Sequence, residues 1–272
     1  TFASPSSEEL LRIIYIDVGQ GDSALILTPD GKSMLIDAGE SASEEKVAEV
    51  LEQYGVTFID MLIATHPHSD HIGGMKYIVE NFQIGQFCLP NVAHTSQTYE
   101  ELLLAVQQKE IPTLQAKAGV SFQLGDDVSC SVLAPASDSY ESLNDYSVVL
   151  HLSYGSTSFL FTGDAEALSE FEILASSSAS PEADVLKVGH HGSRTSTSEA
   201  FLDAIHPKYA VISCGIGNSY GHPHTEILEA LAERGITVYR TDELGDILAC
   251  SDGSKISFAK AGAVPSPATD GV

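Results

Sequence analysis

The sequence has 272 residues, 43% hydrophobic and 19% charged, and its 13 Lys and Arg against 38 Asp and Glu give a formal net charge of −25. Such a composition excludes a disordered chain and suffices for a sizeable core. The acidity argues against a broad basic track for nucleic-acid backbone, but not against a phosphate substrate whose charge is met by divalent cations.

The chain begins at Thr1 without a methionine, and residues 1–10 are rich in serine and acid. We expect a flexible segment, left where a signal, an anchor or a preceding membrane region was removed. That places the protein outside the cell or at a membrane, with the cytoplasm as the alternative. The run Leu11 to Val18 is β-rich, and Gly19-Gln20-Gly21-Asp22 follows as a turn. Ser23 to Thr28 and Ser33 to Asp37, joined by Pro29-Asp30-Gly31-Lys32, form a hairpin. Ser43 to Tyr54 has helical spacing and stops at Gly55. Met61 to Ala64 is a buried strand, Met75 to Asn81 a helix, Phe87 to Leu89 a strand and Thr98 to Lys109 an amphipathic helix.

The second half opens with strands at Val120 to Leu124 and Val128 to Leu133, then Ser147 to Tyr154 and Ser158 to Thr162. Glu166 to Ala175 is helical, 175–180 is a small polar loop and Val185 to Val188 is a strand. Ser196 to Glu199 has the form of a capping box. Tyr209 to Ser213 (strand), His224 to Glu233 (helix), Thr237 to Tyr239 (strand) and a hairpin over Asp246 to Ala259 complete residues 11–260, with a flexible tail at 261–272. Short strands mixed with helices and no linker predict one layered α/β sandwich. No apolar stretch is long enough to cross a bilayer. Cys88, Cys130, Cys214 and Cys250 lie far apart in or beside strand-like runs, as buried free thiols do.

The chemistry concentrates at Thr65-His66-Pro67-His68-Ser69-Asp70-His71, where an apolar strand breaks into a loop before Gly73-Gly74. His66 and His68, two apart in extended chain, point the same way, and Asp70 and His71 can turn back toward them. Imidazoles and carboxylates so converged suit zinc, or manganese or iron where more oxygens join. Two later segments repeat the design. Phe159 to Thr162 runs into Gly163-Asp164, and Val185 to Val188 into Gly189-His190-His191-Gly192-Ser193. HExxH, GxSxG and P-loop patterns are absent.

His66-Pro67-His68-Ser69-Asp70-His71 resembles the HxHxDH signature of the metallo-beta-lactamase superfamily, and Leu35 to Gly39, Phe161 to Asp164 and Gly189 to Ser193 resemble its other motifs. Within it, Ile16 to Asp22, Lys187 to Ser193 and Tyr220 to Pro223 are similar to the soluble domain of competence DNA-uptake (ComEC-type) proteins. The resemblance spans roughly Leu11 to Ala259. It implies a four-layer αββα sandwich holding one or two divalent ions, zinc or manganese. It assigns His66 and His68 to one metal, Asp70 and His71 to a second, and Asp164 to bridging. One histidine of His190-His191 completes the second site, with His191 preferred as ligand, His190 as hydrogen-bond donor to substrate, and the reverse order left open. Asp37 orients the histidine loop from behind. The sequence departs from much of the superfamily in lacking a further histidine for the first metal: His151 lies within a strand and His94 on the surface, as does His206. Asn144, water or substrate phosphate would complete that metal, or a single ion would bind.

Metal-bound hydroxide would then be the nucleophile, with Asp70 and Asp164 holding the water and His190 or His222 serving the leaving group; His222 reads equally well as a helix cap. Ser193 and Asn218 are further candidate phosphate donors. The expected activity is on phosphodiesters, as small molecules or single-stranded DNA, with no stable protein partner. The alternatives are hydrolysis of carboxylic esters, thioesters or lactams, and a non-catalytic metal-binding domain.

Overall fold

A computed structural model describes residues 10–176 and 180–261. Almost all of the N-terminal segment, almost all of the tail and the centre of the 175–180 loop lie outside them. Alternating apolar residues explain the layering. In β1 (Leu11–Tyr15), Leu11, Ile13 and Tyr15 join the core between two sheets, while Ile14 joins a separate core on the outer face. The strands β2 (Ala24–Leu27), β3 (Ser33–Ile36), β4 (Phe58–Ile63), β5 (Gln83–Pro90) and β6 (Thr113–Ala116) extend this sheet. Its other edge is the hairpin β14 (Ile247–Ser251) and β15 (Ile256–Lys260), giving the order β15-β14-β1-β2-β3-β4-β5-β6.

The second sheet runs β13-β12-β11-β10-β9-β8-β7. Its strands are β7 (Ser121–Leu124), β8 (Val128–Ala134), β9 (Val149–Tyr154), β10 (Thr157–Phe161), β11 (Val185–Lys187), β12 (Tyr209–Ile212) and β13 (Thr237–Arg240). Helices cover both outer faces. On the first sheet, α1 (Glu44–Gln53) and α4 (Gln97–Gln108) contribute Val47, Leu51, Leu102 and Val106 to the outer core, beside α2 (Ser69–Ile72) and α3 (Met75–Asn81). On the second, Ile173 of α5 (Ala167–Ala175), Phe201 of α6 (Glu199–Ile205) and Leu231 of α7 (Thr225–Glu233) pack on Leu160 and Leu186. A single turn, α8 (Thr241–Leu244), follows β13. The result is the expected αββα sandwich.

Three local readings need correction. The cap of α6 is Ser198, whose side chain accepts from Phe201 N, whereas Ser196 Oγ donates to Ala165 O; the predicted capping box is two residues early. His224, not His222, occupies the cap position of α7. The edge strand β6 has no counterpart among the predicted elements, because it is half exposed and only four residues long. All four cysteines are buried and free.

Candidate metal centre

Strands β3 to β6 run parallel, as do β10 to β13, so their C-terminal ends gather at one edge of each sheet. There β3 releases Asp37, β4 releases Thr65 and His66, β10 releases Gly163-Asp164, and β11 releases Gly189-His190-His191. Gly163 takes φ +51, and a Cβ there would stand 3.0 Å from Thr65 Cβ and 3.1 Å from Ser147 Cβ. A glycine at 163 thus suits both the left-handed backbone and the close approach that brings Asp164 beside the histidine loop. His190 and His191 both adopt left-handed φ, 48 and 55, a costly pair for non-glycine residues.

Two sets of side chains share Asp164. His66, His68 and Asp164 form one, and Asp70, His71, Asp164 and His191 the other, each with candidate ligand atoms within 4.8 Å of one another. In the first, His66 Nε2 lies 2.9 Å from His68 Nδ1 and 3.8 Å from Asp164 Oδ2. In the second, Asp164 Oδ1 is 3.2 Å from His71 Nε2 and 3.7 Å from His191 Nε2, and Asp70 Oδ2 is 3.2 Å from His191 Nε2. Despite that 3.2 Å approach, His71 Nε2 and Asp164 Oδ1 are buried with no aligned hydrogen bond. Two buried polar atoms so converged without an aligned hydrogen bond are costly in a protein interior, and a cation between them would satisfy both once the ring gives up its proton. The donor set therefore fits a divalent ion.

An outer ring of residues aims these side chains. Asp37 Oδ2 accepts from His71 Nδ1 at 2.7 Å and from Thr65 Oγ1 at 2.6 Å, and its Oδ1 accepts from Thr65 N at 2.8 Å. His191 Nδ1 donates to Ser213 O at 3.1 Å. Both rings thereby turn Nε2 to the cluster. Ser147 Oγ accepts from Asp164 N at 3.0 Å and lies 3.3 Å from His66 Nδ1. Asp22 Oδ1 lies 3.2 Å from His191 Nδ1 but outside hydrogen-bond geometry, and Asp22 Oδ2 is 2.9 Å from Lys187 Nζ. Sequence reasoning gave Asp22, Lys187, Ser147 and Thr65 no role at the site. The one legible signal was Lys187, a charge among the apolar residues of β11.

Burial disfavours the charged forms throughout, and the neighbours decide each outcome. For Asp70 burial is outweighed by the His191 hydrogen bond and His71, which hold its carboxyl at about 2. For His191 it is outweighed by Asp164 and Asp22, which raise the ring to about 9. His71 is likewise raised, against burial, by Asp164 and Asp37. His66, buried beside His71, is pushed well below the usual histidine range.

The cluster opens into a cleft of about 500 Å³, lined among others by Gln20, Glu40, His68, Asp70, Tyr220 and His222. His190 faces it, with Nε2 at 3.6 Å from Asp164 Oδ2 and Nδ1 at 3.1 Å from Thr195 Oγ1 and 3.5 Å from Glu166 Oε1. His222 stands beside it, ring centroids 5.6 Å apart, and is pushed down to about 4 by burial and then by His191 and His190. The remaining predicted residues stand off the cleft lining. Asn144 Nδ2 donates to Glu166 Oε1 at 3.3 Å. Ser193 Oγ pairs with Thr195 Oγ1 at 3.1 Å. Asn218 spends its amide inside its own loop, on Gly215 O, His222 O and His222 N. His151 Nε2 bonds to Glu182 O at 2.8 Å, and His206 is an exposed helix cap. His94, partly buried, has its ring 6.0 Å from that of Tyr99.

A two-sheet sandwich whose strand ends collect histidines and aspartates around one shared carboxylate defines a class of metal-binding α/β proteins. The chain belongs to the metallo-beta-lactamase superfamily, whose pattern matches residues 16–216. It is 34% identical over 253 residues to ComE operon protein 3 of Bacillus subtilis (strain 168), covering 87% of this chain and 32% of that protein. It is 32% identical over 246 residues to Recombination protein 2 of Haemophilus influenzae (89% and 29% covered) and 30% identical over 247 residues to Competence protein ComA of Neisseria gonorrhoeae (89% and 32%). The chain thus spans about a third of the length of these curated relatives. Among solved structures, the fold is shared with CmlA, a diiron beta-hydroxylase from Streptomyces venezuelae (TM-score 0.57, 14% identity, 87% of this chain and 53% of that one). It is shared also with YhfI from Bacillus subtilis (TM-score 0.54, 11% identity, 84% and 95%).

Proposed function

We propose that this chain is a divalent-metal-dependent hydrolase acting on phosphodiesters. The observation that carries the reading is Asp164, placed with one carboxylate oxygen toward His66 and the other toward His71 and His191. His66, His68 and Asp164 would hold one zinc or manganese ion, and Asp70, His71, Asp164 and His191 another. Bound cations would lower the pKa of water from about 15.7 toward about 7 and offset charge on the attacked phosphoryl group.

The chain's own side chains do the rest. Asp70, partly exposed, lines the cleft and orients water toward phosphorus. As the bond from oxygen to phosphorus forms and the bond to the leaving oxygen breaks, His190 supplies a proton to that oxygen. Glu166 and Thr195, at Nδ1, aim its Nε2 into the cleft. His222 acts as a neutral hydrogen-bonding group. Asp37, Asn144, Ser193 and Asn218 act through other residues and do not touch substrate.

Relatives named for competence and recombination support a DNA-related setting; the placement outside the cell or at a membrane is carried over from the sequence alone. Among the described residues no helix is long and apolar enough to cross a membrane. The test is manganese- or zinc-dependent hydrolysis of bis-p-nitrophenyl phosphate and single-stranded DNA, with Asp164→Ala inactive. Turnover of nitrocefin but of no phosphodiester would overturn the reading in favour of lactam or ester chemistry.

A further inference from the structure

We infer that Tyr220, seated on His222 at the cleft mouth, is a platform on which a planar base of the substrate stacks. The inference rests on the phosphodiester reading for what lies beside the base.

Among the described residues, none that lines the cleft is lysine or arginine, and Glu40 is one of them. The part of a nucleotide beyond the reacting phosphate is therefore offered no cation. What the cleft offers instead is a ring. Tyr220 is 66% exposed although aromatic, and it lines the cleft. Its ring is 5.6 Å from that of His222 and inclined by only 22°. His222 in turn stands 5.6 Å from His190, so the tyrosine sits one ring beyond the group assigned to the leaving oxygen.

The loop that carries it is built to hold it. Asn218 Nδ2 donates to Gly215 O at 2.9 Å and to His222 O at 2.6 Å, and Asn218 Oδ1 accepts from His222 N at 3.0 Å. Gly217 and Gly221 take φ +61 and +73, which permits the tight path. Gly215 N donates to Gln20 Oε1 at 3.1 Å, pinning the loop to the first sheet. An exposed aromatic on a pre-set loop gives away little entropy when a flat ring settles on it, and such stacking tolerates any base.

The test is calorimetric binding to manganese-loaded protein of three probes: thymidine 5′-monophosphate, 2-deoxyribose 5-phosphate and phosphocholine. The nucleotide should bind about 10-fold more tightly than the sugar phosphate. Tyr220→Ala should abolish that difference, and Tyr220→Phe should keep it. Equal binding of the two, no binding of either, a difference that survives Tyr220→Ala, or a preference for phosphocholine would each overturn the inference. Hydrolysis of thymidine 5′-(p-nitrophenyl phosphate) is followed in parallel. Base preference without turnover would sink the hydrolase reading and leave the platform standing, and turnover without base preference would do the reverse.

Discussion

Lys187 Nζ lies 2.9 Å from Asp22 Oδ2 with both side chains under one-tenth exposed, Asp22 just ahead of β2 in the first sheet and Lys187 on β11 in the second. The pair bridges the two halves behind His191, whose Nδ1 is 3.2 Å from the other oxygen of Asp22. Removing one partner strands a buried charge, so Lys187→Met should lower unfolding stability by about 3–5 kcal/mol. The double variant Asp22→Asn/Lys187→Met should lose less than Lys187→Met alone. Urea melts of metal-free protein read both, and simple additivity of the single losses would refute the coupling.

Asp37 touches His71 and Thr65, and is not in the cleft lining. Asp37→Asn keeps the shape but removes the charge that orients the His71 ring. Metal affinity should fall about 10- to 100-fold with little change in fold. Competition against a chromophoric chelator measures this, and unchanged affinity would remove Asp37 from the account.

Metal binding should release protons. His191 sits at about 9 in the metal-free protein and His71 is also raised, so both rings are protonated at pH 7 and must lose a proton for Nε2 to bind a cation. Because these folded-state values exceed the unfolded one near 6.5, the associated stability is full below about 6.5 and is lost as pH rises toward about 9. Metal-free protein should therefore weaken across that window while metal affinity increases. Calorimetry in buffers of different ionisation enthalpy counts the protons; a count of zero at pH 7 would contradict the electrostatics.

Gly21 has φ +152, and a Cβ there would lie 2.3 Å from Asp70 O. The closest clash in Gly21→Ala is with backbone, the added Cβ standing 3.5 Å from Asp70 Cβ, so the chain carrying Asp70 must move. We expect a stability loss of about 1–3 kcal/mol and weaker metal binding. Retention of full metal affinity would show that the approach of Gly21 to Asp70 does not position the carboxylate.

Much of this was legible because it is local. His66 to His71 follow a strand, and Gly163-Asp164 and His190-His191 repeat that strand-to-polar design, so their meeting at one edge follows from parallel pairing. What escaped is non-local. The Asp22–Lys187 pair joins residues 165 positions apart on different sheets, and no periodicity announces it. Ser147 reaches His66 and Asp164 from two residues ahead of β9, where the strand pattern marks no face. Asn218 reads as a free amide in a glycine-rich stretch, and only the folded loop shows both its functions already engaged.

The most direct test is an anomalous-difference map from crystals grown with manganese. The account predicts a peak bounded by Asp70, His71, Asp164 and His191, with a second between His66, His68 and Asp164 when both ions bind. Manganese-dependent phosphodiester hydrolysis by protein whose map has no peak at Asp164 would contradict it.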